Sequence, residues 1–91
     1  MFWWAKKFNQ PIGDWDVSSV TDMGSMFANT TEFDQPIGDW DVSNVINMAC
    51  MFAIAGSFNQ DISGWNINDE TNIDDMFFNC DIYKKYKPKK K

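Results

Sequence analysis

The stretch Phe8–Met23 reads "FNQPIGDWDVSSVTDM"; Phe33–Met48 reads "FDQPIGDWDVSNVINM", and Phe58–Ile73 repeats it more loosely as "FNQDISGWNINDETNI". A fixed period of 25 residues therefore organises the chain, and a period of this size is the mark of stacked units rather than of one irregular globule. Phe8, Phe33 and Phe58 align, as do Ile12, Ile37 and Ile62, then Trp15, Trp40 and Trp65, then Val17, Val42 and Ile67. Met26, Met51 and Met76 form a further column, and Phe27, Phe52 and Phe77 another. One copy has too few residues to cover its own apolar side, so copies must bury it against one another. These columns are the expected core ladders.

Within a copy, "IGDWDV" spaces its apolar residues as in the L-x-x-L-x-L pattern of leucine-rich repeats. The alternation Asp14-Trp15-Asp16-Val17-Ser18 predicts a short strand with Trp15 and Val17 inward and the two acids outward. Pro11 and Pro36 suit a strand entry, where a missing N–H costs least. Val20, Met23, Met26 and Phe27 recur at helical spacing, which predicts short helices or 3-10 turns over residues 21–29 and 46–55, the second ended by Gly56. Ser19 with Asp22, and Asn44 with Asn47, stand where an N-cap and its partner would. The fold class this predicts is an α/β repeat: a right-handed, leucine-rich-repeat-like solenoid of short parallel strands and short helices. It would span residues 1–80, about three and a half repeats with units near 8–32, 33–57 and 58–80. Residues 81–91 are expected to be a solvated, disordered tail.

The third copy departs from the pattern, with Glu70 where Val20 and Val45 stand and Gly64 where Asp14 and Asp39 stand, as a terminal cap would. Met1, Phe2, Trp3 and Trp4 form an apolar edge without such a cap, so the chain is expected to be a piece of a longer array.

Charge is distributed unevenly. Thirteen acids, all at or before Asp81, against two lysines in that stretch leave −11, while six lysines from Lys84 onward give +6. So acidic a body repels phosphate and anionic lipid, and no nucleic-acid partner is expected for it. No apolar run approaches the ~20 residues of a membrane span, and "MFWWAKK" is too short for an export signal. There is no His and no CxxC. Cys50 and Cys80 fall at different phases of the repeat, so no disulfide is implied.

The run "FNQPIGDWDVSSVTDMGSMFANTTEFDQPIGDWDVSNVINM" closely resembles the BspA-like, mycoplasma-type surface repeats, a family of unknown function grouped with leucine-rich repeats. That resemblance implies a non-enzymatic module for protein–protein contact, adhesin-like, at a cell surface or secreted, with further repeats in a parent chain. A purely structural spacer without a recognition face is the competing expectation.

Five residues make the candidate binding face: Asp14 and Asp39 in one outward column, and Asp16, Asp41 and Asn66 in the next. Like charges stacked at strand spacing repel, so something should offset them. Three offsets are open: a divalent cation, a basic protein partner, or backbone N–H groups accepted in tight corners. No cofactor is expected and no metal ligand is assigned. The Asn9/Asn59 and Gln10/Gln35/Gln60 columns suggest amide ladders along the stack or solvated corners. No base stands beside Ser18, Ser19, Ser43 or either cysteine, so no catalytic residue is expected. Asn29-Thr30-Thr31 meets the glycosylation pattern.

Overall fold

A computed structural model describes residues 5–90 of the chain. The readings of Met1 to Trp4 lie outside them. Backbone hydrogen bonds are best followed from Met23, because they decide what the repeat becomes. Met26 N–H donates to Met23 O, Ala28 N–H to Ser25 O and Thr30 N–H to Phe27 O, so three tight turns follow one another. The intervening N–H groups of Met23, Ser25, Phe27 and Asn29 reach the next copy, donating to the carbonyls of Asn47, Ala49, Met51 and Ala53 at 2.8–2.9 Å. Gly24 N–H goes to the Asp22 carboxylate at 2.9 Å. Every N–H from Met23 to Thr30 is thus bonded, as a buried backbone requires.

The second copy repeats this accounting from Met48 to Ala55, with Asn72, Asp74, Met76 and Phe78 as the acceptors in the third. Alternate donors serve the copy's own turns and its neighbour. The third residue of the outer turns has positive φ: Ser25 and Asn29, Cys50 and Ile54, Asp75 and Asn79, between 52° and 63°. A type II turn demands this, and it is incompatible with a continuing helix.

The expected solenoid of strands and helices is therefore overturned. Among the described residues the one helical segment is the 3-10 turn Lys84–Tyr86. Pairing among these residues is limited to isolated parallel bridges, Asp22 with Asn47, Asn47 with Asn72 and Ile67 with Lys90. No helix occupies 21–29 or 46–55, because the i, i+3, i+4 spacing of apolar residues is met by successive turns. No strand forms at Asp14–Ser18 either. Trp15 N–H closes a turn to Ile12 O and Val20 N–H another to Val17 O, leaving too few extended residues between them. Gly13-Asp14 and Ser18-Ser19 are turn formers, and their local chemistry prevails over the two-residue alternation.

The chain closes into a body of 31 × 24 × 20 Å whose core is the predicted set of columns. The rings of Phe8, Phe33 and Phe58 stack at 5.7 Å per step, and those of Phe27, Phe52 and Phe77 at 5.6 Å. The two columns touch at 4.2 Å, Phe27 on Phe33 and Phe52 on Phe58. Ile12, Ile37 and Ile62 are buried, with Val17, Val42 and Ile67. Trp40 and Trp65 are buried, each indole N–H donating to the isoleucine carbonyl of the preceding copy, Ile12 at 3.2 Å and Ile37 at 3.0 Å. Trp15 breaks the expectation: it is 45% exposed, at the outer side of the first copy. Phe8, in that same copy, is half-buried.

Gly13 and Gly38 let the copies approach closely. A Cβ on Gly13 would lie 2.5 Å from Pro36 O, and one on Gly38 would lie 2.5 Å from Asp61 O.

At the other end the third copy slips by one residue. Glu70 is exposed, and Thr71 takes the buried place, its hydroxyl donating to Val45 O at 2.9 Å. The lysine-rich segment is packed rather than frayed. Ile82 is buried, Tyr83 N–H donates to Asn59 Oδ1 at 2.8 Å and Ile62 N–H donates to Tyr86 O at 3.1 Å. No described helix is long and apolar enough to cross a membrane.

Candidate functional site

The five candidate residues, Asp14, Asp16, Asp39, Asp41 and Asn66, are all exposed. Asp14 and Asp39 occupy the third position of the turns Ile12–Trp15 and Ile37–Trp40, so it is a turn and not a strand that turns them outward. Together they line a shallow groove of about 480 Å³, whose walls are Pro11, Pro36, Gln35 and Gln60 and whose far end is Asp61. Asp16 and Asp41 do not line this groove. Each instead accepts from a serine two residues on: Ser18 N–H at 3.0 Å and its hydroxyl at 2.6 Å for Asp16, Ser43 N–H at 3.1 Å and its hydroxyl at 2.6 Å for Asp41.

These bonds hold the Asp16 and Asp41 carboxyls below the ordinary carboxylate range, the serine hydroxyl contributing most and its N–H next. The negative charge of Asp16 works the other way on Asp41. At Asp41 the two Ser43 donors outweigh that opposing charge. Asn66 replaces the acid in the third copy.

Sequence reasoning missed Asp61. It stands where the earlier copies have Pro11 and Pro36, accepts from Ser63 N–H at 3.0 Å and from its hydroxyl at 2.6 Å, and is lowered for the same reason, with a smaller contribution from Lys85. The signal was available as Asp-x-Ser, read in "DVS" twice and again in "DIS".

The amide columns form a ladder. Asp34 N–H and Gln35 Nε2 both donate to Asn9 Oδ1 at 2.9 Å; Asn59 N–H and Gln60 Nε2 repeat the pattern on Asp34 Oδ1 at 2.9 and 3.0 Å. Asp34 thus stands in for an asparagine, and the ladder ties the copies together along the rim of the groove. Asn44 and Asn68 tie them elsewhere, donating to Ser18 O at 2.8 Å and Ser43 O at 3.1 Å.

Among the described residues no group of three or more acidic or cysteine side chains is arranged to hold a metal ion. Cys50 and Cys80 are both free thiols, half-buried, and burial pushes the Cys80 thiol up. Thr30 of the glycosylation pattern is buried, its hydroxyl donating to Phe27 O. Thr30 is the middle residue of that pattern; Asn29 is half-buried and Thr31 exposed, its hydroxyl donating to Lys6 O at 3.3 Å.

The groove and the amide ladder follow the 25-residue period, as do the Asp16 and Asp41 corners; the Asp61 corner stands at another phase of the repeat. A repeat family fits this geometry. Residues 1–89 match the family described as "Mycoplasma protein of unknown function, DUF285", and the chain belongs to that family. No curated protein and no solved structure matches the chain.

Proposed function

We propose that the chain is a non-enzymatic repeat module that captures a protein partner on the acidic groove, as part of a cell-surface or secreted adhesin-like array. The observation that carries the reading is the alignment of Asp14, Asp39 and Asp61 along one open groove flanked by prolines and glutamines. One carboxylate from each copy, the third from the Pro11/Pro36 place in the repeat, gives a row of fixed negative charge, and the partner that fits it is a basic, extended segment. The prolines present rigid apolar surface between the charges. Surface placement rests on the resemblance of the repeat to mycoplasma-type surface proteins.

The test is capture of lysine- and arginine-rich peptides by the immobilised chain, compared with Asp14→Asn/Asp39→Asn. The expected result is retention by the wild type, weakening with salt, and a loss in the variant at unchanged melting temperature. A spacer without a recognition face predicts equal retention, or none, for both proteins, and that outcome would displace the adhesive reading.

A further inference from the structure

The lysines of the C-terminal segment converge. Lys84, Lys85, Lys87 and Lys89 line one concave pocket of about 670 Å³, with Ser63 in its wall. Two of the ammonium groups are held over rings: Lys85 Nζ stands 5.5 Å from the Tyr86 centroid and 5.9 Å from that of Tyr83, and Lys87 Nζ stands 5.3 Å from Phe77. Cation–π attraction fixes where these charges sit. The segment that carries them is itself fixed by buried Ile82 and by the bridge between Ile67 and Lys90.

Of the pocket lysines, Lys85 acts on the Asp61 carboxylate of the body, at longer range than an ion pair. Among the described residues no carboxylate closes an ion pair with any of the four lysines. Asp61, two residues before Ser63 of the pocket wall, has its carboxylate engaged chiefly by Ser63. Four lysines lining one hollow make it a place where an anion of several charges is favoured.

We infer that this pocket is a binding site for a multivalent phosphate anion. Lysine ammonium groups are compact point charges with three donors each, and they meet tetrahedral phosphate oxygens from any direction. The pocket has the volume of a small-molecule site rather than of a single monatomic ion. The rest of the molecule carries the opposite charge and repels phosphate, which confines the ligand to this pole. The phosphates arrive either on a soluble molecule or on a lipid headgroup; Tyr83, 55% exposed beside Lys84, suits the second source as an interfacial aromatic.

Calorimetric titration with inorganic tripolyphosphate, and flotation with phosphatidylcholine vesicles containing phosphatidylinositol bisphosphate, test this on the whole chain at about 0.15 M salt. Lys84→Glu/Lys89→Glu alters two exposed lysines that touch no ring, so the fold is retained, and its melting temperature checks that. The expected result is saturable binding by the wild type and at least about a tenfold loss per lysine in the variant, the fold-change carried by one charge-assisted hydrogen bond. Asp14→Asn/Asp39→Asn is expected to bind the phosphate probes as the wild type does, which separates this site from the acidic groove. Tripolyphosphate binding without flotation assigns a soluble source, and flotation without tripolyphosphate binding assigns the lipid. Absence of both, or binding that Lys84→Glu/Lys89→Glu leaves unchanged, overturns the inference. So does salt-sensitive dimerisation in place of anion binding, which would make the acidic groove of a second copy the true counterpart.

Discussion

The second copy of the repeat, residues 33–57, lies between two others; the third, residues 58–80, has a copy on one side and the lysine segment on the other. The same columns run through both, yet their surroundings differ. Gly38 lies against the Asp61 backbone, whereas its counterpart in the third copy, Ser63, carries a side chain. Val45 keeps its place in the core, whereas Glu70 is expelled and Thr71 substitutes. The third copy tolerates sequence drift because the segment packed on it, residues 81–90, makes few of the close backbone approaches that fix the second. A middle unit is constrained from two sides and an end unit from one, so end units are where sequence departs from pattern.

Core truncation should sharpen this comparison most. Trp40→Ala is expected to cost about 3–5 kcal/mol, because its ring is buried between Phe27 and Trp65, 6.2 and 6.4 Å away, and rigid neighbours cannot close the hole. Trp65→Ala should cost less, since the lysine segment can settle into the space, and Trp15→Ala, already exposed, less again. Chemical denaturation of the three variants gives the order; equal losses would show that both sides of the third copy are as rigid as the second.

Next in size is glycine substitution. Gly38→Ala drives a methyl into the Asp61 carbonyl and should cost about 1–3 kcal/mol, whereas Gly64→Ala should be close to neutral. A matching loss at Gly64, which stands in the place of Asp39, would show close packing at the end copy as well.

A smaller effect of opposite sign is expected at Ile54. This β-branched residue is held at φ 59° where the first and third copies have Asn29 and Asn79. Ile54→Asn should stabilise by up to about 1 kcal/mol, because asparagine enters the left-handed region with less strain. A lowered midpoint would mean that the partly exposed Ile54 side chain contributes more by packing than its backbone loses.

The smallest effect is pH. The carboxyls of Asp16, Asp41 and Asp61 are depressed by their serines. A depressed folded-state pKa gives stability that is present above the ordinary value of 3.8 and lost as pH falls through the folded values. Melting temperature should therefore decline below about pH 4, and Ser18→Ala/Ser43→Ala/Ser63→Ala should flatten that decline. All three groups are exposed, so screening keeps the contribution small. A curve unchanged by the triple variant would show that the Asp-Ser corners do not couple to folding.

A mycoplasma-type repeat family, the period and, Trp15 apart, the core columns were legible in the 91 residues, because identical apolar residues at a fixed interval have only one economical burial, against their own copies. Phe33, Ile37 and Val42 needed no coordinates to be placed inside. The elements between them were misread, since spacing alone cannot tell a helical face from a row of turns: both place residues i, i+3 and i+4 on one side. What separates them is where each N–H goes, and for Ser25, Phe27 and Asn29 that is a carbonyl about 24 positions along the chain.

The candidate site divides the same way. That Asp14, Asp16, Asp39, Asp41 and Asn66 are exposed followed from polar residues alternating with core positions. That Asp14 and Asp39 share a groove with Asp61, while Asp16 and Asp41 turn to their own serines, depended on turn geometry and on how one copy is laid over the next. The gathering of Lys84, Lys85, Lys87 and Lys89 was equally hidden, because it requires Ile82 to be buried and the tail to pack on the third copy. Sequence by itself determined which residues recur and which must avoid water, as these are properties of side chains and their period. The tertiary structure alone decided the path of the backbone and the meeting of charges, as these depend on hydrogen-bond partners and neighbours that lie a full repeat away.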